Sequence, residues 1–131
     1  MTTQPKERLA GTKATLTIRN YFGGNYFLTA DEAWIEGDNL YLAEGKHAKG
    51  DTLPSTGDIK DGLLKMILFT NLEDVKVEGH TYNRIAVLKL TTGSRLSEYR
   101  LRESESRLMN VLRQEAQINH FRIAINDRFV V

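Results

Sequence analysis

The stretch Tyr26-Phe27-Leu28-Thr29-Ala30-Asp31-Glu32-Ala33-Trp34-Ile35-Glu36-Gly37-Asp38-Asn39-Leu40-Tyr41-Leu42-Ala43-Glu44-Gly45-Lys46 decides the fold. Gly37-Asp38-Asn39 is hairpin chemistry, because Gly and Asn tolerate positive φ in a tight turn. The segments on either side read as two antiparallel strands, and a bend or bulge is expected in the first of them near Asp31. Working upstream, Leu16 and Ile18 alternate with Thr15, Thr17 and Arg19. That is a half-buried strand, joined to the next by a turn at Gly23-Gly24-Asn25. Residues 1 to 13 are polar and weakly patterned, an arm or a frayed helix end. Downstream, residues 47 to 57 form a polar loop. Asp58 then opens a helical stretch with Ile59, Leu63, Leu64, Ile67, Leu68 and Leu72 on one broad face. Thr56 or Asp58 can cap it, and Asp61 and Lys65 make an i,i+4 pair on its polar side.

Arg84-Ile85-Ala86-Val87-Leu88-Lys89-Leu90-Thr91 is a dense apolar run suited to a central strand. A charged helix follows from Glu103 to Asn119, with Leu108, Val111, Leu112 and Ala116 inward. Phe121 to Ile125 is a last short strand. The order βββ-α-β-α-β predicts an α/β (α+β) domain with a mixed sheet. The third and fourth strands should be parallel, because a helical crossover joins them.

Composition narrows the function. The chain has 131 residues, 40% hydrophobic and 27% charged, which fits one globular domain over residues 1–131. Eighteen basic against seventeen acidic residues exclude a strongly basic nucleic-acid-binding tail but not a local basic patch. The absence of cysteine removes disulfide scaffolds, Cys-based zinc sites and thiol catalysis. The polar start lacks a signal-peptide apolar region, and no run approaches the roughly 18 apolar residues of a spanning helix. A cytoplasmic protein with no membrane partner is expected.

No GxGxxG and no GxxxxGK[ST] occurs, so nucleotide-fold and P-loop chemistry has no anchor. His47, His80 and His120 lack ligand spacing. Leu53-Pro54-Ser55-Thr56-Gly57 resembles a sorting signal but lies mid-chain, so it reads as loop and helix-entry chemistry. The constellation with chemical content is Asp31 followed by Glu44-Gly45-Lys46. Phosphodiester hydrolysis near neutral pH calls for a hard cation, which one or two carboxylates can hold. Glu44 and Lys46 share a strand face, and the lysine can orient water or stabilise charge on the phosphorane. Gly45 offers a backbone carbonyl as a further ligand. Asp58-Ile59-Lys60 and Asp74-Val75-Lys76 repeat the acidic-x-lysine pattern. Only Glu44-Gly45-Lys46, however, ends a strand that an Asp-bearing strand precedes by a hairpin. A solvated ion pair at the strand end is the competing reading, and Asp38 is the reserve for the first acidic position.

These residues carry a resemblance. Ala30-Asp31, then Asn39 to His47, then Asp58-Ile59-Lys60-Asp61-Gly62-Leu63-Leu64-Lys65-Met66 resemble the core of the PD-(D/E)xK nucleases, in the flavour of type II restriction endonucleases. The resemblance covers residues 14 to about 91. It implies a restriction endonuclease-like αβββαβ core and Mg²⁺-dependent (or Mn²⁺-dependent) DNA cleavage. It also implies Asp31 and Glu44 as metal-binding acids and Lys46 as the catalytic lysine. Ala30 stands where that family usually has proline. The chain is short for a restriction enzyme, which fits a minimal nuclease or the catalytic part of a longer protein. Glu7 is the only candidate for the extra N-terminal Glu of some relatives.

Lys49, Lys60 and Lys65 are the candidates for phosphate contact, with His47 nearby. The arginines at 95, 100, 102, 107 and 113 interleave with glutamates and read as a mixed-charge face. Tyr21, Phe22, Tyr26 and Phe27 are expected to pack rather than stack on bases. Two functions stay open: a metal-dependent DNA endonuclease, with a homodimer fitting double-strand cutting, and a non-catalytic nucleic-acid or protein interaction domain on the same fold.

Overall fold

A computed structural model describes residues 12–19, 25–73, 75–93 and 101–131, with side chains from Phe27 onward. Strands β1 (Thr12–Arg19), β2 (Asn25–Glu36) and β3 (Asn39–Ala48) form the expected antiparallel meander. Gly37, at φ +61, takes the first central place of the two-residue turn, where a side chain would be strained. Helix α1 (Thr56–Thr70) carries the chain across to β6 (Asn83–Thr92), and β6 pairs parallel with β3 from Asn39↔Asn83 to Ala48↔Thr92. A small hairpin of β4 (Lys76–Val77) and β5 (His80–Thr81) intervenes. Helix α2 (Glu103–Asn119) leads to β7 (Arg122–Ile125), again parallel, and β8 (Arg128–Phe129) closes the edge. The result is a six-stranded mixed sheet in the order β1-β2-β3-β6-β7-β8.

The steps from β3 to β6 to β7 run in one direction across the sheet. Right-handed crossovers therefore bring both helices to the same face. The main core fills that space: Leu40, Leu42, Leu88, Leu90 and Ile123 from the strands meet Ile59, Met66 and Phe69 of α1 and Met109, Leu112 and Ala116 of α2. On the other face Trp34 stacks on Tyr41 over a floor of Ala43, Val87 and Ala124, with Phe129 tilted against Tyr41.

Several sequence expectations change. The inward stripe of α1 is Ile59, Gly62, Met66 and Phe69, whereas Leu64, Ile67 and Leu68 are exposed. Two apolar stripes fit this helix, and the one containing Gly62 wins because it allows close approach. A Cβ on Gly62 would lie 2.5 Å from a Leu88 methyl. In α2, Met109 is buried and Val111 is exposed. The α1 N-cap is Ser55, whose Oγ accepts from Asp58 N–H at 3.1 Å, in place of Thr56 or Asp58. Phe27 is 71% exposed, so it packs on no core. Glu7, Tyr21, Phe22, Asp74, Arg95 and Arg100 lie outside the described residues, and Tyr26 outside the described side chains. No helix among the described residues is long and apolar enough to cross a membrane.

Two contacts set the ends of this framework. Arg84 at the start of β6 donates from Nε to Phe69 O at 2.9 Å and from Nη2 to Thr70 O, capping α1. At the far end Gly93 N–H donates to Gly50 O at 2.9 Å, and a Cβ on Gly93 would fall 1.7 Å from the Lys49 carbonyl oxygen. Gly50 itself has open space around it. Gly93→Ala is therefore expected to cost about 1–3 kcal/mol in urea unfolding, as overpacking does. Gly50→Ala, three ångströms away along the same hydrogen bond, should stay within about 0.5 kcal/mol.

Candidate active site

Strand β2 is the element that builds the site. Its register against β1 moves from Thr12↔Ala33 to Ala14↔Ala30, two residues on β1 against three on β2. The extra residue falls at Asp31-Glu32, which is the bulge expected there. Against β3 the regular ladder of β2 ends at Glu32↔Ala43. Two residues further along β3, the Gly45 N–H donates to Asp31 Oδ2 at 2.9 Å, so a side chain stands in for the interrupted backbone ladder. The Asp31 carboxylate thus lies against the peptide that follows Glu44.

Glu44 follows Leu40 and Leu42 on the helix-facing side of β3. It is 7% exposed, the only buried charged residue among those described. A buried carboxylate needs compensation, and two lysines provide it. Lys46 Nζ lies 3.3 Å from Oε2, and Lys65 Nζ of α1 lies 3.4 Å from Oε1. Lys65 also donates to Thr29 O on β2 at 2.8 Å. These pairings to Glu44 are longer than the roughly 2.7–2.9 Å of a tight charge-assisted bond. The stem of Lys46 runs beside Gly62, where a Cβ would meet its Cγ at 3.6 Å.

Strand β3 and helix α1 therefore gather Glu44, Lys46 and Lys65 into one cluster, and β2 places Asp31 against the adjoining Gly45 peptide. Lys65 was expected beside Asp61; the inward stripe of α1 carries it instead to Glu44 and Thr29. Its place between Gly62, Met66 and Phe69 was the signal available in the sequence. Lys49 and Lys60 are exposed and take no part in the cluster. Asp38 is excluded as the first acid. It sits in the β2–β3 turn, 83% exposed and 3.8 Å from His80, six residues before Glu44 and so about 20 Å away along the strand. His47 shares a 2.7 Å hydrogen bond with Thr91 at the end of the parallel strands.

The donors suit a hard cation. Two carboxylates and the Gly45 carbonyl are all oxygen, the set Mg²⁺ accepts when water and phosphate complete its shell. Among the described residues no three Asp, Glu or His side chains converge, so the Gly45 carbonyl would have to serve as the third protein ligand.

A further charged group escaped sequence analysis. Lys89 Nζ is 2.8 Å from both Glu32 Oε1 and Asp127 Oδ1. Partial burial pulls its pKa down, but the hydrogen bonds to Asp127 and Glu32 outweigh this and leave it raised above the ordinary 10.5.

Comparison of the chain with protein-family models, curated proteins and solved structures found no match.

Removing one cation from Glu44 leaves its carboxylate half-compensated and frees Thr29 O. Lys65→Met is expected to lower stability by about 1–2 kcal/mol, read from urea unfolding. Lys60→Met on the exposed side should change it by less than about 0.5 kcal/mol.

Proposed function

We propose that this chain is a Mg²⁺-dependent (or Mn²⁺-dependent) DNA endonuclease with a restriction endonuclease-like core, acting in the cytoplasm. The observation that carries the reading is the meeting of the Asp31 carboxylate with the Gly45 peptide, beside the buried Glu44 and its lysine Lys46. The βββαβ order with β3 parallel to β6 supports it at the level of topology. A bulge that re-aims an acidic side chain is a recurrent feature next to active sites.

Asp31, Glu44 and the Gly45 carbonyl would hold the cation. When bound, it supplies charge neutralisation at the scissile phosphate and a more acidic water. The remaining chemistry belongs to the chain. Lys46 reaches Glu44 at 3.3 Å without being locked to it, so its ammonium is free to turn toward a water or a phosphorane oxygen. The water oxygen bonds to phosphorus as the P–O bond to the leaving strand oxygen breaks; the attacking water gives up a proton to solvent, and the leaving oxygen takes one from solvent. Lys65 holds Glu44 and β2 in one arrangement through its bond to Thr29 O. Exposed Lys49 and Lys60 are suited to phosphate contact with DNA. A homodimer would supply the second site that double-strand cutting needs.

One observation favours a non-catalytic binding module instead. Lys46 and Lys65 each take one oxygen of Glu44, an ion network that compensates itself without a metal. The two readings differ in their metal response. Plasmid incubated with the protein should be nicked or linearised only when Mg²⁺ or Mn²⁺ is present. Lys46→Ala should slow that cleavage by about 10²-fold or more, with folding preserved. Asp31→Ala should abolish cleavage while leaving metal-free DNA affinity unchanged or higher, since a repulsive carboxylate is gone. No cleavage and no effect of divalent ions on affinity, on any DNA form tried at fixed salt, would leave the binding module.

A further inference from the structure

The bridge of Lys89 to Glu32 has an unusual path. Glu32 lies on β2 and Lys89 on β6, with β3 between them. Two strand spacings amount to about 10 Å, so both side chains must lie across β3 to meet at 2.8 Å. The residues they cross are Ala43, paired with Glu32, and Gly45, paired with Lys89. A Cβ on Gly45 would meet only Asp31 Oδ2, at 3.7 Å. Strand β3 therefore offers this face one methyl group and one bare peptide, a low saddle over which the ion pair passes. The bridge is also anchored at its far end. Asn126 and Asp127, at φ 46 and 67, form a tight turn between Ile125 and Arg128. Asn126 N–H donates to Leu90 O, and its Oδ1 accepts from Thr92 N–H. Asp127 is thus delivered to Lys89 by a turn anchored on β6.

Glu32 and Asp31 are the two residues of the β2 bulge. A bulge interrupts the backbone ladder on one side, which leaves side-chain contacts a larger share in setting its conformation. Here one neighbour is fastened to Lys89, and the other accepts the Gly45 N–H. We infer that Lys89 is a positioning residue for Asp31: by holding Glu32 across β3, it fixes the bulge in the form that aims the Asp31 carboxylate at Gly45. The consequence of this positioning for metal binding rests on the nuclease reading.

The test reads the Gly45 amide directly in the ¹⁵N-labelled full chain. Hydrogen exchange at Gly45 reports its bond to Asp31, and exchange at Gly93 reports a bond remote from the bulge, to Gly50. Lys89→Met keeps the stem and removes the charge. It should speed Gly45 exchange roughly tenfold, the value of a hydrogen bond to a charged acceptor, and leave Gly93 unchanged. Glu32→Met, which removes the acceptor oxygen, should act in the same direction, and it carries the test if Lys89→Met fails to fold. Lys89→Arg should restore part of the protection. Unchanged exchange at Gly45 in Lys89→Met, or in Glu32→Met if that variant stands alone, would overturn the inference. Equal acceleration at Gly45 and Gly93 would overturn it too, because the bridge would then only stabilise the domain. A parallel Mn²⁺ titration followed by electron paramagnetic resonance separates the two levels. If the parent binds Mn²⁺, Lys89→Met should weaken that binding by about tenfold along with the Gly45 effect, and unweakened binding would overturn the functional consequence. If the parent binds none, the metal reading fails, while the Gly45 result still decides the role of Lys89.

Discussion

Burying a carboxylate is the constraint on which the local structure turns. Glu44 occupies a position on β3 that continues the row of Leu40 and Leu42 under α1, where an apolar side chain would ordinarily sit. An ionised carboxylate there is tolerable only if cations approach from the strand and from the helix that covers it. Lys46 comes from the strand and Lys65 from the helix. The helix can bring Lys65 that close only because Gly62 brings α1 down onto β6. The position of the helix, the choice of glycine and the burial of charge form a single arrangement.

The two faces of the sheet divide the work differently. Beneath the helices, charge is buried and compensated over distances of 3.3–3.4 Å, which leaves the groups able to exchange partners. On the opposite face the Lys89 bridge is tight, with 2.8 Å to each carboxylate. Strand β3 thus carries a loosely held charge cluster on one side and a closely held one on the other. Asp31 stands at the junction, since the bulge passes from one to the other.

Much of this was legible from residue order. The meander, the parallel pairing of β3 with β6 and the irregularity near Asp31 follow from turn chemistry, from period-two patterning and from the crossover rule. Those signals are local or topological. What was not legible depended on rotation about an axis. Helix α1 is apolar over much of its circumference, so periodicity alone allowed Leu64, Ile67 and Leu68 to face inward, and only the contact at Gly62 decides otherwise. The same rotation moves Lys65 from an expected pairing with Asp61 to the Glu44 cluster. The Glu32–Lys89–Asp127 bridge joins residues 57 and 38 positions apart, and no spacing rule reaches that far.

The cap that Arg84 places on α1 has a consequence for how the molecule comes together. The last carbonyls of the helix, at Phe69 and Thr70, are met by the Arg84 side chain from the start of β6, about fifteen residues on in the chain. The helix end is therefore completed by the strand that the helix itself leads to. Strand docking and helix termination become one cooperative event across the β4–β5 hairpin, and these local contacts favour rapid closure of the β3–α1–β6 unit. Strand β3, helix α1 and strand β6 would then open and close as a single foldon, with the edge strands β1 and β8 added to a frame already carrying Glu44 and its lysines.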